Sequence, residues 1–150
     1  MVICRILIFI ILLILAIWDI RRTEVPVILV AIGVLISFAG MIADIIEYNI
    51  NMTMIISAIM PGIIMILASI SFPHRIGSAD GFALIVAIAG TGIGHAYMTI
   101  LFVSVISFIA AGAVMFISKG RRKVIPYIPV IAAGSIASQI FIILERIKYV

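Results

Sequence analysis

Charge and sulfur are both scarce in this chain. Of its 150 residues six are acidic and ten basic, and Cys4 is the sole cysteine. A single thiol excludes an internal disulfide and a zinc cage of the usual kind. Cys4 reads as a small apolar residue near a helix end. The histidines, His74 and His95, belong to no H-E-x-x-H pattern, so an intramembrane zinc protease lacks its ligands. No metal and no cofactor are expected. The serines of "AGSIAS" have no base nearby in sequence, and Ser135 and Ser138 are assigned to helix packing. The glycines of "GTGIG" lack the strand, helix and distant acid of a dinucleotide fingerprint, and are read as a turn.

What fills the chain is apolar surface. Hydrophobic residues make up 66% and charged residues 11%, and the mean hydropathy is +1.46. A soluble globule, with an apolar fraction nearer half, is excluded. The chain reads as one integral membrane domain, residues 1–150. Its opening, "MVICRILIFIILLILAIWDIRR", has the basic residue and apolar core of a signal peptide, but Asp19 follows where a small-residue cleavage site is needed. It is read as a retained first span. The net charge of +4 lies in short clusters between apolar runs, without the aromatic pattern of nucleic-acid binding, so no nucleic acid is expected.

Apolar runs bounded by charge, proline or polar clusters place spans near 3–18, 26–46, 54–72, 81–92, 96–117 and 128–144. The expected fold is all-α: a polytopic membrane helix bundle of six transmembrane helices with a short fourth span. Residues 81–117 form one long apolar stretch, split at "GTGIGH"; the alternative is a single very long helix. Loop charge favours the split, because cytoplasmic loops collect Lys and Arg. With six spans, Arg21, Arg22, Arg75, Lys119, Arg121, Arg122 and Lys123 share one side. Arg5, Arg146 and Lys148 share the other with Asp44 and Glu47, and both termini lie outside. Pro26 fits the first turn of span two, and Pro126 and Pro129 that of span six, where a missing N–H is harmless. Pro73 closes span three, and Pro61 should kink it. The "KGRRK" cluster fixes orientation and suits anionic lipids, while Trp18 and Tyr127 look like interfacial anchors. Small residues four apart, such as Ala58/Gly62, Ala83/Ala87, Gly90/Gly94 and Gly134/Ser138, allow close helix approach. Self-association into a homo-oligomer stays open.

Two acids stand out. Asp19 ends span one and Asp80 begins span four, both on the side that carries the basic loops. Carboxylates brought close together cannot both ionise easily, so one holds a proton while the other acts as a base on a shared water. Each also has a plainer reading: Asp80 as the cap of helix four, and Asp19 as the partner of Arg22 one turn on.

The residues around these acids carry a resemblance. "DIRRTEVP" at Asp19 to Pro26, with Arg22 inside it, resembles the segment that follows the first peptidase helix of the type IV prepilin peptidases. "GSAD" at Gly77, Ser78, Ala79 and Asp80 resembles their G-x-G-D motif, and "IPYIPVIAAG" at Ile125 to Gly134, with Pro126 and Pro129, resembles the approach to their last helix. The matches run in order along nearly the whole chain. The resemblance implies an intramembrane aspartyl endopeptidase that cuts prepilin-like or preflagellin-like membrane proteins on the cytoplasmic side of the plasma membrane, just before their apolar helix. Asp19 and Asp80 would be its catalytic pair, with Gly77 and Ala79 allowing a strand-like approach to helix four.

Three positions depart from the family pattern. Ala79 replaces a glycine and removes access to positive φ, Gly81 and Phe82 stand where a lysine is common, and Val27 stands where an asparagine often follows the proline. The cysteine-paired segment of the larger, methylating enzymes does not precede span one, so peptidase activity without methylation is expected. The rival readings are a small proton- or cation-coupled carrier, whose acids tend to lie near the bilayer midplane, and a catalytically silent scaffold for pilus or secretion assembly.

Overall fold

The computed structural model describes residues 2–22, 25–72, 77–117 and 126–148. Glu24, Pro73, His74, Arg75, Ile125 and the cluster Lys119, Arg121, Arg122 and Lys123 lie outside the described residues. Six α-helices follow in chain order: α1 (Val2–Arg22), α2 (Val27–Tyr48), α3 (Met52–Ser71), α4 (Ser78–Thr91), α5 (Ala96–Ile117) and α6 (Tyr127–Lys148). No strand occurs among the described residues. Five of the helices are long and apolar enough to cross a membrane, as befits a multi-pass membrane protein, and α4 is the short one. Its 14 residues give it a length of about 21 Å.

Burial is distributed as a bilayer demands rather than as water does. Large apolar side chains such as Leu35, Phe38, Ile64 and Phe108 are exposed on the outer surface, where hydrocarbon is the solvent. The interior is organised around α4, which packs against all five other helices. Small residues make that position possible. Gly81, Ala83, Ala87, Ala89 and Gly90 are all buried along it, so neighbouring backbones close in without a side chain between them. A close crossing joins α4 to α3. A Cβ on Gly81 would stand 2.7 Å from the Gly62 carbonyl oxygen and 2.9 Å from the Ile66 nitrogen. Only glycine lets these two backbones touch.

The break expected at "GTGIGH" is present. Helix α4 stops at Thr91, Gly92 takes φ 94°, and a 3-10 turn, Ile93–His95, leads into α5. One continuous helix over 81–117 is thereby excluded. The break is tied down by buried hydroxyls: Thr91 Oγ1 lies 2.7 Å from Thr99 Oγ1, which lies 3.2 Å from Ser138 Oγ. Ser138 therefore does serve packing, through a bond that links α4, α5 and α6.

Several boundaries shift by a turn. Helix α1 continues to Arg22, so Asp19 lies inside its last turn instead of after it. Helix α4 starts at Ser78, which makes Asp80 its third residue. Pro26 precedes α2, and its carbonyl accepts the N–H groups of Leu29 and Val30. Pro61 sits inside α3 without ending it. Tyr127 differs from a simple interfacial anchor, because its hydroxyl accepts a 3.2 Å bond from Ser107 on α5.

Candidate active site

The last turn of α1 meets the first turns of α4 and α6 at one end of the bundle. The α6 start explains how. A helix leaves its first four backbone N–H groups without internal partners. At α6 these positions are Pro126, Tyr127, Ile128 and Pro129, and the two prolines have no N–H to satisfy. Asp19 reaches across from α1 to take one of the remaining two: the Ile128 N–H donates to its Oδ2 at 3.2 Å. This bond joins residues 109 positions apart and buries Asp19 to 8% exposure.

Asp80 is held from within its own helix. Gly77 precedes the first turn in an extended conformation, φ −82° and ψ 137°. Its N–H donates to Asp80 Oδ2 at 3.3 Å, the acidic half of a capping box. The carboxylate is half-buried and close enough to Asp19 to feel its charge. Among the described residues no other hydrogen bond reaches either carboxylate, and each bond made uses Oδ2. Asp80 therefore caps α4, as its plainer reading held, while also standing near the second acid.

The other motif residues surround the pair. Ser78 and Ala79 are the first two residues of α4. Helical φ is negative, so the loss of glycine at position 79 removes nothing that the backbone uses, while Gly77 enters α4 in an extended conformation. Gly77 likewise has an ordinary φ. Arg22 lies exposed at the end of α1 with its guanidinium carbon 5.7 Å from the Trp18 ring centroid. A groove of about 290 Å³ beside it is walled by Ile14, Ile17 and Trp18 and edged by Arg21 and Arg22. Pro26 caps the start of α2.

Two features escape a linear reading. Gly81, which sequence comparison treats only as a missing lysine, is the residue that seats the Asp80 helix against α3. Asp44, placed by its span at the opposite end, is 3% exposed and bonds both Arg5 and the Ile93 N–H. Its burial inside an apolar helix was the available signal. No group of three or more His, Cys, Asp or Glu able to hold a metal occurs among the described residues.

The Asp19 bond makes a testable contribution. Asp19→Ala orphans the Ile128 N–H and is expected to lower stability by about 1 kcal/mol. Asp19→Asn keeps an acceptor there. Thermal unfolding in detergent should therefore rank Asp19→Ala clearly below Asp19→Asn.

Compared with protein-family models, with curated proteins and with solved structures, the chain matches none.

Proposed function

We propose that this protein is an aspartyl endopeptidase of the cytoplasmic membrane that removes the leader of a prepilin-like or preflagellin-like membrane protein. The observation that carries the reading is the placing of Asp19, in the last turn of α1, and Asp80, in the first turn of α4, at one end of a membrane bundle, near enough for the charge of one to act on the other. One carboxylate takes a proton from water as its oxygen attacks the scissile carbonyl, and the other gives its proton to the carbonyl oxygen. The tetrahedral adduct then expels the amine, which leaves with a proton from the first acid while a hydroxyl of the adduct returns its proton to the second as the new carbonyl forms. The bonds at Oδ2 hold each side chain in place and leave Oδ1 to the water.

In this reading all six helices span, the termini lie outside, and the Asp19 and Asp80 end faces the cytoplasm. Arg21 and Arg22 at that end agree with a cytoplasmic bias for basic residues. The substrate is an apolar helix with a short polar leader, and membrane lipids are the only other partners required. The carrier reading calls for acids near the midplane, whereas Asp19 and Asp80 sit at helix ends.

The test reconstitutes the protein with a prepilin-like reporter and looks for a shortened product on gels, with its new N-terminus identified by mass spectrometry. Cleavage should be maximal where one acid is protonated and the other ionised, so the rate should fall at both pH extremes. A rate that climbs steadily with alkalinity would contradict the shared-proton mechanism. No product from any such reporter, combined with a proton flux through vesicles, would favour the carrier.

A further inference from the structure

The two acid-bearing helices are joined again at their far ends, through one carboxylate. Arg5, near the start of α1, places a guanidinium nitrogen 3.0 Å from Asp44 Oδ1. The other oxygen of Asp44 accepts the Ile93 N–H at 3.1 Å, just past the end of α4. Asp44 on α2 therefore binds α1 and the α4 exit together. The side chains involved are 28% and 4% exposed for Arg5 and Asp44, so the ion pair is partly buried and less screened than a surface pair.

The dimensions of the two helices give this joint its meaning. Fourteen residues separate Arg5 from Asp19, and thirteen separate Asp80 from Ile93. At about 1.5 Å per helical residue the α1 arm is about 21 Å long and the helical part of the α4 arm, Asp80 to Thr91, about 17 Å, with Gly92 and Ile93 carrying the chain beyond it. Helices α1 and α4 approach the acidic end from opposite chain directions. Pinning Arg5 level with Ile93 at one end therefore brings Asp19 level with Asp80 at the other. A slip of one turn would separate the acids by about 5 Å along the axis. The turn is shaped to fit: Gly92 adopts φ 94°, and a Cβ there would stand 2.8 Å from the Arg5 guanidinium. Any other residue at 92 would press on the ion pair.

We propose that Arg5 and Asp44 are positioning residues that set the register of α1 against α4 and thereby the separation of Asp19 and Asp80. The inference rests on the peptidase reading for its functional meaning, but its geometry is measurable without substrate. The experiment places Asp19→Cys and Asp80→Cys in a Cys4→Ser background and follows disulfide formation under mild oxidant in membranes. With Arg5 and Asp44 intact, the disulfide should form rapidly. The added pair Arg5→Gln and Asp44→Asn removes both charges at once, so no orphaned charge remains to unfold the bundle. Crosslinking should then slow about tenfold, while Arg5→Lys stays within about twofold of the parent.

In the protein with both native acids, the same double variant should lower kcat and leave KM unchanged, because the apolar substrate helix still binds. Unchanged crosslinking in the folded double variant, or in Asp44→Leu, would overturn the proposal. Absence of crosslinking even with Arg5 and Asp44 intact would overturn it as well, together with the peptidase reading. Rapid crosslinking that depends on Arg5 and Asp44, in a protein that cleaves no reporter, would sustain the register role and refute only the peptidase.

Discussion

Asp80→Asn is expected to abolish cleavage while leaving the bundle folded. The asparagine side chain retains a carbonyl oxygen that can accept the Gly77 N–H, so the start of α4 keeps its 3.3 Å contact. What disappears is the ability to gain and lose a proton. General acid and base groups contribute about 10²- to 10⁴-fold each, and a shared pair fails as a unit when one member is removed. A loss of about a thousandfold or more is therefore expected, read as product formed per unit time at fixed enzyme. Thermal unfolding should place Asp80→Asn close to the parent, which separates lost chemistry from lost structure. Asp19→Asn should behave alike, since it also keeps its acceptor for Ile128. Cleavage persisting in either variant would exclude the paired-acid mechanism.

Gly81→Ala should damage the fold itself. The added methyl meets the Gly62 carbonyl and the Ile66 nitrogen, both of them backbone atoms that no rotamer change can move aside. The helices must part, and the gap propagates because α4 is packed on every side. Overpacking of this kind costs typically 1–3 kcal/mol, and the upper end, about 3 kcal/mol, is expected here. Gly112→Ala in α5 is the control. Among the described residues no atom beyond its own stretch of helix lies within 4 Å of a Cβ at Gly112, and alanine is the better helix former by up to about 1 kcal/mol. The two substitutions should therefore shift the unfolding temperature in opposite directions. A Gly81→Ala protein as stable as the parent would mean that α3 and α4 do not touch as described.

The helices were legible in the sequence because each reports itself locally. Apolar runs, prolines and charge marked five long helices and the short one to within about a turn, and the glycines of "GTGIG" marked the break at Gly92. The ends were harder. Arg21 and Arg22 looked like loop residues and Asp19 like the end of the span because charge interrupts the apolar run, yet the helix carries on through them to Arg22: Asp19 finds an N–H on α6, and Arg22 lies over Trp18. The placing of both acids at one end followed from counting spans.

Contacts between distant parts of the chain were not legible. Nothing near Asp44 in sequence announces Arg5 or Ile93, and nothing near Gly81 announces Gly62. The central place of α4 was hidden for a related reason. Its length makes it the one helix too short to register as a full span, although its alanines and glycines are what let five neighbours approach. The signal lay in residue size, which a search for apolar runs does not weigh.

The shortness of α4 bears on the lipid around it. If α4 crosses the bilayer as proposed, a helix of about 21 Å falls short of a hydrocarbon slab about 30 Å thick, so at least one of its ends lies below the headgroup plane, sheltered by longer neighbours. Hydrophobic mismatch of this kind is relieved by local thinning of the bilayer. A dimple in the leaflet over Asp80 would admit water and a polar leader together, making acyl-chain length a determinant of turnover alongside the side chains themselves.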